Sequence, residues 1–304
     1  MAKKTISTIR EILKKTYENL KEGEPVVYCA AIAFFTIFSL PAILIIIILI
    51  GTIFFSEDEI RNEIITQVEQ NVDPEAGEQV AKVMEKAMDL PGQVWWIIVG
   101  IAVIIKSATM IFFILQKALN SIWKVEVKSD ANFFKVTKQR SITLAIVAGL
   151  GLLLVISLLA DAIINLFGDH LGFIWEQIPH IFTRIGAILF SLIMVYVFFV
   201  AILKALPDVK IPWKDALVGG GITTILFVIG KEVINLILNN LDLDGYYAAA
   251  GSLVIILLWV FYSSIILYLG AVLTKSYSQT QGREVPPKSI AFKYEMKKSD
   301  IENK

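Results

Sequence analysis

Residues 41–55 read PAILIIIILIGTIFF, and nothing in 42–55 carries a charge. A hydrocarbon layer about 30 Å thick needs about 20 helical residues to cross it. With the apolar shoulder that starts at 27, this run is long enough. Residues 144–160 and 253–274 are also free of charge. The whole chain of 304 residues is 56% apolar and 18% charged, against about 45–50% and about 25% for a soluble domain. The excess sits in blocks, so the fold class is all-α: a polytopic membrane helix bundle. Six transmembrane helices are expected at about 27–55, 94–122, 142–167, 181–205, 216–238 and 248–274.

The connections orient the bundle. Lys3, Lys4, Arg10, Lys14, Lys15 and Lys21 precede the first span. Lys117, Lys124, Lys128, Lys135, Lys138 and Arg140 surround the second such connection. Lys204, Lys210 and Lys214 mark the next, and seven more basic residues follow 274. The alternate connections hold only Arg61, Lys82 and Lys86. By the positive-inside rule both termini are cytoplasmic, as an even number of spans requires. Trp95 and Trp96 stand about 40 Å from Trp123 along one helix, matching the two interfaces of a bilayer. No signal peptide is visible, because 1–24 lack an apolar core segment. The lone cysteine, Cys29, reads as a small core residue.

Three parts follow: a cytoplasmic amphipathic N-terminal helix (1–26), the six-span domain (27–275) and a cytoplasmic polar tail (276–304). In the first, Ile6, Ile9, Leu13, Tyr17 and Leu20 recur at helical spacing among lysines. That face suits either the inner membrane surface or docking on the ends of the spans. The outer loop 56–93 is acidic, and two short helices are expected there. Ile60, Ile64 and Val68 form the face of one; Val80, Val83, Met84 and Ala87 form that of the other. Asp73-Pro74 starts the second. The tail, with Pro286-Pro287, reads as disordered.

Several segments resemble the YihY / virulence factor BrkB family. They are CAAIAFFTIFSLP at 29–41, Ser107-Ala108-Thr109, Leu115-Gln116, LNSIW at 119–123, Pro207-Asp208, Trp213-Lys214-Asp215, Gly230-Lys231, AGSLVIILLW at 250–259 and Gly270-Ala271. The chain departs from the family pattern at Tyr247-Ala248 and at Val272, where a glycine and a glutamate are usual. The resemblance implies a six-helix bacterial inner-membrane protein. Its relatives carry labels ranging from transporter and lipid-handling protein to ribonuclease.

Ionised groups at depth are costly, about 2.5–3.5 kcal/mol each at mid-span. Lys106, Asp161, Arg184, Lys231 and Glu232 are such groups. Spacing arranges polar residues into stripes. Lys106, Thr109, Gln116 and Asn120 share one in span 2, Ser157, Asp161 and Asn165 one in span 3, and Thr224, Lys231 and Asn235 one in span 5. One reading is a polar cavity between spans 2, 3 and 5 that holds an anionic or amphiphilic substrate. The other is sealed interhelical pairs, such as Asp161 with Lys106 or Lys231, with Arg184 snorkelling to a span end. Pro41 is expected to kink span 1.

His170 and His180 have no ligand-spaced partners, and no nucleotide-binding glycine motif occurs. No catalytic residue, metal or cofactor is therefore expected, and the chain is read as no enzyme. Nuclease activity and nucleic-acid binding are disfavoured, since the basic loops are explained by orientation. Membrane lipids are the expected partners. A scaffold that docks a protein partner, without transport, is the alternative.

Overall fold

The computed structural model describes residues 2–51, 56–71, 74–88, 94–158, 180–240 and 251–294, in places by backbone alone. These form α1 (Ala2–Glu22), α2 (Pro25–Gly51), α3 (Glu57–Asn71), α4 (Pro74–Met88), α5 (Val94–Trp123) and α6 (Phe133–Leu158). Then come α7 (His180–Ala205), α8 (Trp213–Asn240) and α9 (Gly251–Thr280). Strands β1 (Val125–Val127) and β2 (Ala291–Lys293) pair antiparallel, with Glu126 opposite Phe292. Among the described residues, Trp213–Ile234 and Val254–Thr280 are long and apolar enough to cross a membrane. Shorter apolar helices lie at Pro25–Phe38 and Leu189–Ala205. In a medium without water a helix satisfies its own backbone, which is why apolar runs of this length take that form.

Helix α9 is the centre of the bundle. It packs on α8, α2 and α5, and carries α1 and α4 on its flanks. The long helices follow one another in space as α6, α7, α8, α9, α2, α5. Among the described residues this order forms an arc, since its two ends, α5 and α6, are not principal packing partners. Close approach inside the arc depends on α8. A Cβ on Gly220 would stand 3.0 Å from the Val200 nitrogen and 3.1 Å from its Cα, so α7 backbone lies directly against it. The core here gathers Cys29, Leu119, Leu203, Leu206, Ala271 and Val272. Val272 is fully buried, as suits its apolar side chain.

Helices α3 and α4 pack on each other as a hairpin. Ser56 caps α3 reciprocally: its amide and hydroxyl donate to Glu59 Oε2 at 2.8 and 2.7 Å, and the Glu59 amide donates back at 3.4 Å. This capping box satisfies amides that the helix cannot. Pro74 opens α4, where its missing N–H is not needed. Ile60, Ile64, Val80 and Met84 are buried. Val68 joins Ile234, Ile255, Trp259 and Tyr262, so the hairpin covers the end of the bundle away from the lysines. Pro41 falls inside α2, where side chains from 39 onward lie outside the described residues, as do Val83, Ala87 and Asp73.

Helix α6 begins at Phe133, ahead of the span expected from about 142. One expectation changes. The tail is ordered through Tyr294: α9 runs to Thr280, Pro287 bridges Val209, and β2 pairs with β1. Helix α1 uses both parts of its apolar side. Thr16 and Leu20 face the bundle, and Asn19 donates to Ser276 and Gln279 of α9. Ile9, Leu13 and Tyr17 stay exposed.

Candidate functional site

The loop 206–212 has almost no regular structure, yet it is sealed. Asp208 is 1% exposed. A buried carboxylate is tolerated only with several hydrogen bonds, and the helix ends around it supply them. Asn120, in the last turn of α5, donates from Nδ2 to Asp208 Oδ2 at 2.8 Å, and its Oδ1 accepts the Asp208 amide at 2.7 Å. Gln139 of α6 donates to Oδ1 at 3.3 Å. Gln116 donates to the Leu206 carbonyl at 3.2 Å and reaches Oδ1 at 3.5 Å. The Asp208 carbonyl accepts the Lys288 amide at 2.8 Å. One residue thus joins α5, α6, the α7–α8 loop and the tail.

Cations reinforce this knot. Lys288 Nζ donates to the Ala205 carbonyl at 3.0 Å. Burial holds its amine below the usual lysine range; the Asp208 charge opposes that shift and Lys204 adds to it. Lys204 donates to the Ile211 carbonyl and lies 5.0 Å from the Trp213 ring centre. Arg283 pairs with Asp215, which is 0% exposed in the first turn of α8. Lys124 ends α5 in the left-handed conformation (φ 53°) and reaches Glu22 of α1 at 2.7 Å. Lys275 donates to the Ile122 carbonyl at 2.7 Å, satisfying a helix-end acceptor.

The stripe read along α5 therefore divides. Gln116 and Asn120 are buried in the knot, whereas Lys106 and Thr109 are exposed. The Arg140 guanidinium of α6 stands 5.7 Å from the Phe113 ring centre. Phe113 lies two turns from Lys106 on the same face, so that face is turned towards α6. Lys106 lies about 18 Å along a helix about 45 Å long. It has no ion pair or hydrogen bond among the described residues.

The other candidates are dispersed. Thr224 is buried and its hydroxyl donates to Gly220 O at 2.8 Å. Lys231 is half-buried and partnered, and Glu232 is exposed. Ser157, Arg184 and Asn235 have side chains outside the described residues, and Asp161 and Asn165 lie outside them altogether. Among the described residues, the three helices expected to enclose a cavity (α5, α6 and α8) are not principal packing partners of one another. Among the described residues no group of His, Cys, Asp and Glu is arranged to hold a metal. Sequence reasoning missed Asp208, Gln139, Lys288 and Arg283 as interacting groups. Pro207-Asp208 stood out only as part of the resemblance.

The family model described as Virulence factor BrkB matches residues 16–291. The chain belongs to the virulence factor BrkB family. It is similar to a UPF0761 membrane protein of Psychrobacter sp. (strain PRwf-1), 23% identical over 269 residues, covering 85% of this chain and 47% of the relative. A UPF0761 membrane protein of Idiomarina loihiensis is 25% identical over 239 residues, 76% of this chain and 78% of the relative. One from Yersinia pestis (strain Pestoides F) is 24% identical over 196 residues, 64% and 63% respectively. The chain thus spans about half of the Psychrobacter relative. No solved structure matches. Bacterial relatives named as membrane proteins, together with the long apolar helices, make this BrkB-family chain an integral protein of the bacterial cytoplasmic membrane.

Proposed function

We propose that this BrkB-family protein crosses the membrane six times with both termini in the cytosol, and that it moves or handles an anionic amphiphile without catalysing a reaction. The observation that carries this reading is Lys106. It is an exposed cation near the middle of a long apolar helix, on the face of α5 turned towards α6. A lysine facing acyl chains at that depth costs about 2.5–3.5 kcal/mol. The cost falls if that face admits water and an anionic headgroup. Among the described residues α5 and α6 are not principal packing partners on that side, and the Asp208 knot closes its basic end. A headgroup then enters sideways, from the bilayer.

The test is transfer of a fluorescent anionic phospholipid between leaflets of proteoliposomes. Lys106→Met should reduce the rate at least tenfold, and Lys106→Arg should retain most of it. Equal rates for Lys106→Met, Lys106→Glu and wild type would remove the site and leave the scaffold reading in its place.

A further inference from the structure

A second lateral feature lies between α7 and α8. It is a groove of about 500 Å³, lined by Leu192, Ile193, Tyr196, Gly221, Ile225 and Val228 among others. That volume falls within the usual range for small-ligand sites, about 300–1,000 Å³. Polar atoms at its wall are engaged. The Tyr196 hydroxyl donates to the Leu217 carbonyl at 3.3 Å, and Thr224 to Gly220. The groove therefore offers only apolar surface, which suits a hydrocarbon chain.

Its floor is Gly221. The neighbouring glycines are needed for packing: Gly219 faces Thr274 of α9, and Gly220 faces the backbone of Val200. Gly221 has no such reason. A Cβ there would meet Tyr196 Cε2 at 3.6 Å, an ordinary contact. Glycine inside a helix costs about 1 kcal/mol relative to alanine, and here what it leaves is open volume.

Charge gives the groove a direction. Lys214 lies on the same face of α8, two turns before Gly221 and about 10 Å towards the basic end, and it is exposed. Trp213 beside it is 64% exposed, as an interfacial aromatic would be. Asp215 nearby is buried and paired with Arg283, so it does not neutralise Lys214. Glu232, also exposed, continues the stripe at the opposite end. An anionic headgroup is attracted to the Lys214 end, whereas at the far end Lys231 stands beside Glu232.

We infer that the α7–α8 groove retains one acyl chain of an anionic phospholipid of the leaflet at the basic end, with Lys214 at its phosphate. This rests on the chain spanning the bilayer, and not on transfer through Lys106. The full chain is reconstituted in equal amounts of phosphatidylglycerol and phosphatidylcholine, then delipidated in mild detergent. Native mass spectrometry counts the lipid that stays bound. Wild type should keep one phosphatidylglycerol in preference to phosphatidylcholine. Gly221→Leu should reduce retention about tenfold, and Lys214→Gln should abolish the preference between headgroups. Should Gly221→Leu fail to fold, phosphatidylglycerol with a photoreactive acyl chain is crosslinked to the unaltered protein. Adducts should map to 192–229. Retention unchanged by Gly221→Leu, adducts elsewhere, or a crosslinked dimer joined through this groove would each overturn the inference. Lys106→Met should leave retention untouched, which separates this outcome from that of the transfer assay.

Discussion

Replacing Asn120 with alanine takes two hydrogen bonds from one buried residue. The carboxylate of Asp208 loses a 2.8 Å donor, and its amide loses a 2.7 Å acceptor. A hydrogen bond to a charged group contributes about 1.5–3 kcal/mol, and an orphaned buried N–H costs about 1–3 kcal/mol. With Asp208 1% exposed, water does not replace either partner. The expected loss is about 3–5 kcal/mol. Reversible unfolding in mixed micelles, driven by a rising fraction of denaturing detergent, measures it. Asn120→Asp should be at least as harmful, since two carboxylates then meet where an amide met one. The double exchange Asn120→Asp/Asp208→Asn restores one donor and one acceptor, and it should recover most of the loss. Asn120→Asp as stable as wild type, or a double exchange no better than either single change, would refute the account of the knot.

Arg283→Ala leaves the Asp215 carboxylate buried and unpaired. Because about a third of the arginine side chain is exposed, the loss should be about 2–3 kcal/mol rather than the full value for a buried pair, partly recovered by adding Asp215→Asn; thermal unfolding checks both. A Cβ at Gly230 falls on the Tyr262 hydroxyl, which donates to the Leu226 carbonyl. Gly230→Ala should therefore cost about 1–3 kcal/mol, and Tyr262→Phe should relieve part of it in a double-mutant cycle. Lys288 has a lowered folded pKa, so the unfolded chain binds more protons between that value and the ordinary 10.5. Stability should rise with pH through this alkaline window, and Lys288→Met should flatten the slope in a protease-accessibility titration of the tail.

The long helices were legible because their apolar runs exceed what a soluble element uses, and α1 because its apolar residues recur at helical spacing. The α3–α4 hairpin announced itself through two short apolar faces, Ile60-Ile64-Val68 and Val80-Val83-Met84-Ala87, and through Pro74. The stripe on α5 was legible as an azimuth only. Lys106 and Asn120 lie on one side of the helix, but the neighbour across from that side changes with depth. At the level of Asn120 the 206–208 loop folds over it; at Lys106 nothing described does. Helical spacing carries no information about what stands opposite at each turn. The tail was misread for a related reason. Three-residue strands give almost no alternation to detect, and Pro286-Pro287 resembles a linker. Yet the Pro286 carbonyl accepts the Lys210 amide, so Pro286 takes part as an acceptor, where its missing N–H does not matter.

The tail's position also imposes an order on biosynthesis. Asp208 is translated before Lys288, and Asp215 before Arg283, so the loop after α7 waits without those partners while α8 and α9 are being made. Strand β1 waits likewise for β2. The clasp at the lysine-rich end forms only when the last described residues have left the ribosome. Until then the nascent bundle has helix contacts and the Asn120, Gln116 and Gln139 bonds to the 206–208 loop but no tail, and a chain that stops short of 280 never closes.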